Sequence, residues 1–286
     1  MDKPLSGRVC VITGAGRGIG RHTARVFAEN GAALALCSRT PSDLNQVVED
    51  LPGTEVIAST VDVADPAGVR AFAAGVQARF GRADVLVNCA GVQGPVGPIT
   101  TVDPQAWVGA LQVNLLGLVH ALRSFAPLLR STASPVGASI VTMSGGGLGG
   151  SSVAPQLSAY TSSKAAVLSL TETLAKELAP DRIRINALAP GAINTSFVDA
   201  VLDAGPEVAG QSLYDATVRQ RQGGDPIEKV GAAMLFLASD ASAGLTGRLI
   251  SAKWDPLGQV VGRTSADGDL FTLRRIDGEL FGPVAR

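Results

Sequence analysis

A short apolar strand followed at once by glycines constrains the fold of this chain more than any other feature. The run Val9–Thr13 contains no charged residue and leads directly into the sequence TGAGRGIG at 13–20. Residues 19–29 then have helical periodicity and end at Asn30-Gly31. Continuous apolar character is typical of a strand covered on both faces, as in parallel sheets flanked by helices. The beginning of the chain therefore predicts an α/β fold.

The same alternation of apolar strands and helical segments continues through the 286 residues. Further strands are predicted at 33–37, 55–61, 84–88, 138–143, 182–188 and 248–252, and further helices near Ser42, from Asp65-Pro66, from Asp103-Pro104 to Leu129, at 158–179 and at 227–237. A polar, glycine-containing stretch of about 30 residues precedes the helix at 227 and is a candidate substrate lid. No linker or internal repeat is visible, so the pattern predicts one doubly wound domain.

The composition of the chain gives no indication of binding to nucleic acid, a membrane or a metal ion. With 24 Lys and Arg against 25 Asp and Glu, the chain has no broad attraction to nucleic acid or to an anionic membrane. Cys10, Cys37 and Cys89 form no CxxC pair and are read as buried thiols, and His22 and His120 are too far apart in sequence to suggest a metal site. No long apolar segment or leader is recognised, so we expect a cytoplasmic protein.

The glycine-rich loop has a geometry suited to a pyrophosphate. Gly14 permits a tight turn, Gly18 permits close approach of the backbone to phosphates, and Gly20 permits the helix to pack on the strand. Gly16, Arg17 and Ile19 complete this loop. Glycine-rich turns also close ordinary strand–helix units, so the loop alone does not establish a dinucleotide site.

The end of the second strand bears on which dinucleotide is bound. An acid at this position usually accepts hydrogen bonds from the ribose 2′-hydroxyl of NAD, but here the residue is Ser38. Arg39 and Arg17 could pair with a 2′-phosphate, which favours NADP(H) over NAD(H), although both could also be solvated surface residues. Asp62, after the third strand, could meet the adenine ring.

Six motifs occur together in one order: TGAGRGIG at 13–20, Asp62-Val63, Asn88-Cys89-Ala90-Gly91, Asn114, Tyr160-x-x-x-Lys164 and Pro190-Gly191-Ala192-Ile193-Asn194-Thr195. In this order and spacing, residues 5–255 resemble the short-chain dehydrogenase/reductase family. The resemblance implies a Rossmann-type sheet of about seven strands, and dimers or tetramers. It also implies that Asn88, Ala90 and Gly91 support the cofactor, and that Pro190, Gly191, Ile193 and Thr195 border the nicotinamide.

Tyr160 and Lys164 are four residues apart on a predicted helix and so share a face. They could be an exposed helix pair, but the resemblance places the catalytic acid/base at Tyr160. A phenol with a pKa of about 10 needs about 4 kcal/mol of stabilisation of its anion to exchange protons near neutrality. A lysine ammonium near 4 Å supplies about 1 kcal/mol in water and about 4 at an effective dielectric of about 20, so the pair must be shielded from water. The resemblance also implies that Lys164 holds the nicotinamide ribose.

Two further catalytic residues are less sharply defined by the sequence. The resemblance implies that Asn114 anchors a water that passes protons, although Asn114 could simply pack within its helix. The family's serine follows the fifth strand, and here Ser144 is 16 residues before Tyr160. Ser144 is our candidate; an alternative alignment matches it to the first of the family's paired serines and leaves Gly145 in the catalytic place. Ser151, Ser152 and Ser158 are alternative donors.

Residues 1–255 are predicted to form the cofactor-binding domain, and residues 256–286 an extension of it. Turn signals at 267–268 and 277–278 bracket 269–276, which could form an added strand. The extension is either a surface tail or a cover over a neighbouring site, and Arg274 and Arg275 could meet an anionic substrate or be solvated.

The reaction expected from these motifs is NADP(H)-dependent interconversion of a carbonyl and a secondary alcohol on a small molecule. Two alternatives stay open at this point. One is a non-enzymatic NADP(H)-binding sensor or scaffold, and the other is an epimerase or dehydratase that keeps its nicotinamide bound. The sequence does not identify the substrate.

Overall fold

One seven-stranded sheet organises the protein. The computed structural model describes residues 3–145, 154–266 and 271–272. The strands are β1 (Val9–Thr13), β2 (Ala33–Ser38), β3 (Val56–Thr60), β4 (Val85–Asn88), β5 (Ala138–Met143), β6 (Ile183–Ala189) and β7 (Leu249–Ser251). They are all parallel and lie in the order β3-β2-β1-β4-β5-β6-β7. This arrangement confirms the predicted doubly wound α/β fold.

Helices cover both faces of this sheet. They are α1 (Gly18–Glu29), α2 (Pro41–Glu49), α3 (Pro66–Phe80), α4 (Pro104–Leu111), α5 (Gly117–Arg130), α6 (Ser158–Glu177), α7 (Asp199–Ala209), α8 (Gln211–Gly223), α9 (Ile227–Ala238) and α10 (Leu257–Ala266). Every residue of β1 is buried, as its apolar sequence predicts. Ile12 packs in the cluster that contains Phe27 of α1, whereas Val11 packs in the cluster that contains Phe125 of α5. Alternate side chains of one strand thus fill two cores.

The order of the strands places the candidate site. The chain runs outward from β1 to β3 and then returns to β4 on the other side of β1. Loops after β1 and β4 therefore separate at the carboxyl edge and leave a crevice between them, which is where ligands bind in open α/β sheets. Hydrogen bonds from Ala15 N to Cys37 O (3.0 Å) and from Ala90 N to Thr13 Oγ1 (3.2 Å) fix the loops on either side.

The structure changes two details of the helical prediction. The helix predicted from Asp103 to Leu129 forms, with a π-helical turn at Gln112–Leu116 within it. The polar stretch before the helix at 227 was assigned no helix from the sequence, but it contains α7 and α8, with a kink at Gly205 in α7. Glycine and proline at the kink interrupt the apolar periodicity of α7, and α8 is mostly polar, so the pattern resembled a loop.

The run Pro104–Arg130 has the length and composition to cross a membrane, with a mean hydropathy of 1.2 in its most apolar window. Phe125, Leu128 and Leu129 of this run lie in the core between α5 and the sheet. Core helices of globular domains can have the same length and composition, and 33% of the most apolar window of this run is buried inside the protein.

The C-terminal extension begins with α10, which the sequence pattern did not predict. Val260 of α10 is fully buried in the core, and Phe271 packs against the same cluster. The backbone N–H of Leu249 donates to the carbonyl oxygen of Phe271 at 2.7 Å, so residue 271 pairs with the edge of β7. The rest of the predicted strand at 269–276, together with Arg274 and Arg275, lies outside the described residues.

Candidate functional site

A cavity of about 610 Å³ opens at the carboxyl edge of the sheet. It brings together most of the residues predicted for the cofactor and the reaction. These are Gly14, Gly16, Arg17, Gly18, Ile19, Gly20, Ser38, Arg39, Val63, Ala90, Gly91, Ser144, Tyr160, Lys164, Pro190, Gly191, Ile193 and Thr195. The cavity thus runs from the loop after β1, past α6, to the loop after β6.

The glycine loop has little room for side chains. Gly14 has a φ of +67°, and a Cβ there would lie 2.7 Å from the Cα and N of Ala90. A Cβ on Gly20 would lie 2.1 Å from the carbonyl oxygen of Gly14. Both contacts are with backbone atoms, which have little freedom to move. Glycine is therefore required at both positions for the loop to fold back against the start of α1.

The start of α1 can bind an anion. The helix begins at Gly18, and Arg17 at its N-cap provides no side-chain cap within the described residues. The first turn holds no acidic residue, so its free N–H groups and the helix dipole favour a phosphate. Arg17 and Arg39 are exposed at this end of the cavity, and neither has an ion pair in the described part of the chain. The start of α1 fits the pyrophosphate of a nicotinamide dinucleotide.

Asp62 and Asn88 are not among the described residues that line the large cavity. The Asp62 carboxylate accepts a hydrogen bond from Ala64 N at 2.9 Å and is exposed. Asn88 instead lines a second, enclosed cavity of about 10 Å³, together with Asn114, Met143 and Lys164. Its buried Nδ2 has no hydrogen-bond partner in the described residues.

Tyr160 and Lys164 lie on the first turns of α6 and face the large cavity. The Lys164 Nζ donates to the carbonyl oxygen of Met143 at 2.9 Å and lies 5.9 Å from the centre of the Tyr160 ring. The ring of Phe197, which also lines the cavity, has its centre 5.5 Å from that of Tyr160. The pair predicted from its spacing therefore forms part of one wall.

Burial sets the protonation of both groups. It raises the pKa of Tyr160 to about 12 and lowers the pKa of Lys164 to about 8, because each charged form is desolvated. Lys164 was expected from the sequence to lower the phenol pKa, but burial raises it instead. Lys164 bonds to a backbone carbonyl, and desolvation of the phenol dominates.

The side-chain amide of Asn114 binds the backbone of Val92 and the hydroxyl of Ser163. Its Oδ1 accepts from Val92 N at 2.8 Å, and its Nδ2 donates to Val92 O at 2.8 Å and to Ser163 Oγ at 2.9 Å. The π-helical turn that contains Asn114 directs this side chain between the loop after β4 and α6. Asn114 thus links the cofactor side of the cavity to the helix that carries Tyr160 and Lys164.

The family's serine was expected at Ser144 or Gly145, and each of these residues has one of its expected features. The Ser144 side chain is 3% exposed, lines the cavity, and its Oγ has no partner among the described residues. Gly145 is the residue beside the phenol, since a Cβ there would lie in contact with the Tyr160 hydroxyl. Ser158 accepts a hydrogen bond from Trp107 Nε1 at 3.1 Å, and Ser151 and Ser152 lie outside the described residues.

Sequence reasoning missed the residue that fixes the loop after β6. Asp225 accepts from Ala192 N at 2.8 Å through Oδ2 and pairs with Lys253 Nζ at 2.9 Å through Oδ1. The hydrogen bond with Lys253 holds the pKa of Asp225 below its usual range. Gln220 of α8 donates to Ile193 O at 2.9 Å. No local motif marks these residues, because each acts on a segment that is distant in the sequence.

Comparison with known proteins identifies related chains. A family model described as enoyl-(acyl carrier protein) reductase matches residues 14–252. The 3-oxoacyl-(acyl-carrier-protein) reductase FabG of Thermotoga maritima is 34% identical over 251 residues, covering 86% of this chain and 96% of that protein. Levodione reductase of Leifsonia aquatica is 34% identical over 241 residues, covering 82% of this chain and 88% of that protein.

Solved structures share the whole fold. A crystal structure of levodione reductase has a TM-score of 0.76 at 29% identity and covers 90% of this chain and 99% of its own. A crystal structure of NAD⁺-bound xylitol dehydrogenase has a TM-score of 0.76 at 30% identity and covers 87% of this chain and 98% of its own. Together with the glycine loop, the Tyr160–Lys164 pair and the strand order, these similarities show that the chain belongs to the short-chain dehydrogenase/reductase family of oxidoreductases.

Proposed function

We propose that this protein is an NADP(H)-dependent oxidoreductase that reduces a carbonyl group of a small molecule to a secondary alcohol. The observation that carries this proposal is a single cavity that has an anion-binding helix start at one end and the Tyr160 phenol at the other. Two of the relatives named above, 3-oxoacyl-(acyl-carrier-protein) reductase and levodione reductase, have names that agree with this chemistry.

The cofactor would be held along the length of the cavity. The N–H groups at the start of α1 would bind the pyrophosphate, and Arg17, Ser38 and Arg39 would bind the 2′-phosphate. Lys164 would hold the nicotinamide ribose, and the loop from Pro190 to Thr195 would border the ring. Bound NADPH supplies the hydride for the carbonyl carbon.

Tyr160 has the protonation state needed for reduction. Its pKa of about 12 keeps the phenol protonated near neutral pH, so its hydroxyl can donate a proton to the substrate oxygen as negative charge develops there. The buried, unpartnered hydroxyl of Ser144 would donate a hydrogen bond to the same oxygen and stabilise that charge. Oxidation of the alcohol would use the phenolate as the base, and burial disfavours that form near neutral pH.

The small cavity behind Lys164 supports a route for returning the proton. Its volume of about 10 Å³ is close to the minimum that holds one water. The unpartnered Nδ2 of Asn88 and the Lys164 amine are polar partners for such a water. Lys164 could then restore the Tyr160 proton from this water, while Asn114 positions the surrounding backbone.

Arg39→Asp is expected to weaken NADPH binding by about 30-fold or more, which corresponds to roughly 2 kcal/mol, and to leave NADH binding within about threefold. The substitution removes a cation from the 2′-phosphate and places an acid there. Fluorescence titration with both cofactors measures the effect, and Arg70→Asp on the exposed face of α3 is the charge-matched control. An equal loss for NADPH and NADH would contradict the 2′-phosphate assignment.

The kcat/KM for carbonyl reduction is expected to fall as the pH rises through about 8. Lys164 has a depressed pKa of about 8, so its ammonium is present below that pH and lost above it, whereas Tyr160 stays protonated to about pH 12. A profile of kcat/KM from about pH 6 to about pH 10 reports these groups in the free enzyme. In Lys164→Arg any remaining activity should not show this fall, and a flat wild-type profile would refute the role of the ammonium.

A further inference from the structure

The substrate end of the cavity has an apolar wall. Leu157, Phe197, Val198 and Leu213 line it beside Tyr160. Behind this lining, Val201 and Ala209 of α7 are buried in the same small cluster. Such a wall favours a ligand with an apolar body, because each apolar contact removes surface from water.

The charged side chains of the described lining are not part of this wall. They are Arg17, Arg39 and Asp43 near the glycine loop, Lys164 beside Tyr160, and Asp225 and Lys253 at the loop after β6. Asp225 and Lys253 pair with each other at 2.9 Å, and Lys164 donates to Met143 O. An ionised substrate group placed against the apolar wall would lose its water without gaining a counter-charge there, so this wall favours an uncharged part of the substrate.

Gln93 provides an unused polar group in this setting. Its side chain is only 9% exposed and lines the cavity, and its Oε1 is buried with no hydrogen-bond partner in the described residues. Buried amide oxygens are usually bonded, and an unpaired one at a cavity wall indicates an acceptor kept for a ligand. Ser144 Oγ is the other buried, unpartnered side-chain atom in the described lining, and it already has a role at the reacting oxygen.

Two other polar side chains of the lining, Thr217 and Gln220, already form hydrogen bonds within the protein. Thr217 Oγ1 donates to Leu213 O at 2.8 Å, and Gln220 Nε2 donates to Ile193 O at 2.9 Å. Gln93 thus differs from a second glutamine in the same cavity. Its free acceptor is a specific feature of this position rather than of the cavity as a whole.

Contacts on both sides of Gln93 place it at the catalytic end. Val92 is held by Asn114, and Val96 packs in the cluster that contains Tyr160. A Cβ on Gly94 would lie 3.4 Å from the Cβ of Ala159, the residue before Tyr160. The segment that carries Gln93 therefore runs beside the start of α6, where the substrate would meet the phenol.

We propose that Gln93 Oε1 accepts a hydrogen bond from a second hydroxyl group of the substrate, which makes the substrate class an uncharged, mostly apolar hydroxyketone and the corresponding diol. This assignment rests on the proposed reduction of a carbonyl at Tyr160. Gln93 fixes which end of the molecule approaches Ser144 and Tyr160, because its amide oxygen binds a hydrogen-bond donor, which the second hydroxyl supplies.

The test compares cyclohexanol with the positional isomers of cyclohexanediol, using NADP⁺ and the reverse reaction. In the wild-type protein at least one diol should have a kcat/KM about 30-fold above that of cyclohexanol, since a site with an unpaired acceptor rejects the analogue that lacks the donor. Gln93→Leu should reduce this ratio to within about threefold, whereas Thr217→Val, which removes a hydroxyl already bonded internally, should preserve it. Equal rates for cyclohexanol and every diol in the wild-type protein would overturn the proposal.

Binding provides a second readout that does not depend on turnover. The Kd of each alcohol for the NADP⁺-loaded protein should show the same preference for a diol and the same loss in Gln93→Leu, with the Kd of NADPH unchanged. Diol binding that depends on Gln93 but gives no reaction would contradict the proposed function and support this inference. The absence of any diol preference in binding, or an equal loss of NADPH affinity in Gln93→Leu, would overturn the inference itself.

Discussion

Tyr160→Phe is expected to lower kcat for carbonyl reduction by about 10³-fold while the Kd for NADPH changes by less than about threefold. The substitution removes the proton donor and keeps the ring that packs against Phe197, with centres 5.5 Å apart. The substrate oxygen would then have to take its proton from water, which is a weaker acid than the phenol. Steady-state rates and a fluorescence titration with NADPH measure the two quantities separately.

The second tyrosine of the chain supplies the matched control. Tyr214 lies on α8, outside the described lining of the cavity, so Tyr214→Phe removes the same hydroxyl away from the site. It should keep kcat within about twofold of the wild-type value. If Tyr160→Phe keeps comparable activity, Tyr160 is not the proton donor.

Gly14→Ala is expected to lower the free energy of unfolding by about 3 kcal/mol and to abolish measurable NADPH binding. Alanine would be strained at a φ of +67°, and its Cβ would lie 2.7 Å from the backbone of Ala90. Relief of that overlap must separate the loop after β1 from the loop after β4, which opens the crevice that holds the dinucleotide. Denaturant unfolding and cofactor titration follow the two effects.

Gly53→Ala is the control that separates the cost of the left-handed backbone conformation from the cost of atomic overlap. Gly53 has a similar φ of +77°, but a Cβ there would meet no atom within 4 Å. Only the cost of the left-handed conformation remains, about 1 kcal/mol, with NADPH binding unchanged. If Gly14→Ala is no more destabilising than Gly53→Ala, the close approach to Ala90 does not constrain the loop.

The fold was predictable because local signals agreed with it. The apolar sequence of β1 indicated a strand covered on both faces, and Asp65 and Asp103 cap α3 and α4 as their positions before proline suggested. Helices α7 and α8 were missed because Gly205 and Pro206 interrupt one and the other is mostly polar. The π-helical turn at Asn114 has no sequence signal that distinguishes it from the adjacent α-helix.

The site was predictable where a motif is short and continuous in sequence. One cavity is lined by the glycine loop, by Tyr160 and Lys164, and by the loop after β6. The raised pKa of Tyr160 was not predictable, because it depends on how far burial desolvates the phenol relative to the effect of Lys164. Gln93 and Asp225 were missed for a related reason, since their importance lies in contacts, or in the lack of one, that only the folded chain defines.

The central claim is that the cavity binds NADPH and that Tyr160 completes the reduction of a carbonyl group. Its most direct test is to load the protein with NADPH, add a panel of uncharged ketones and hydroxyketones, and follow loss of the reduced-nicotinamide absorbance with appearance of the alcohol. We predict saturable NADPH binding, oxidation of NADPH in equal amount to the alcohol formed, and loss of that reaction in Tyr160→Phe. Failure to bind NADPH, or tight binding with no alcohol formed from any ketone of the panel, would contradict the claim.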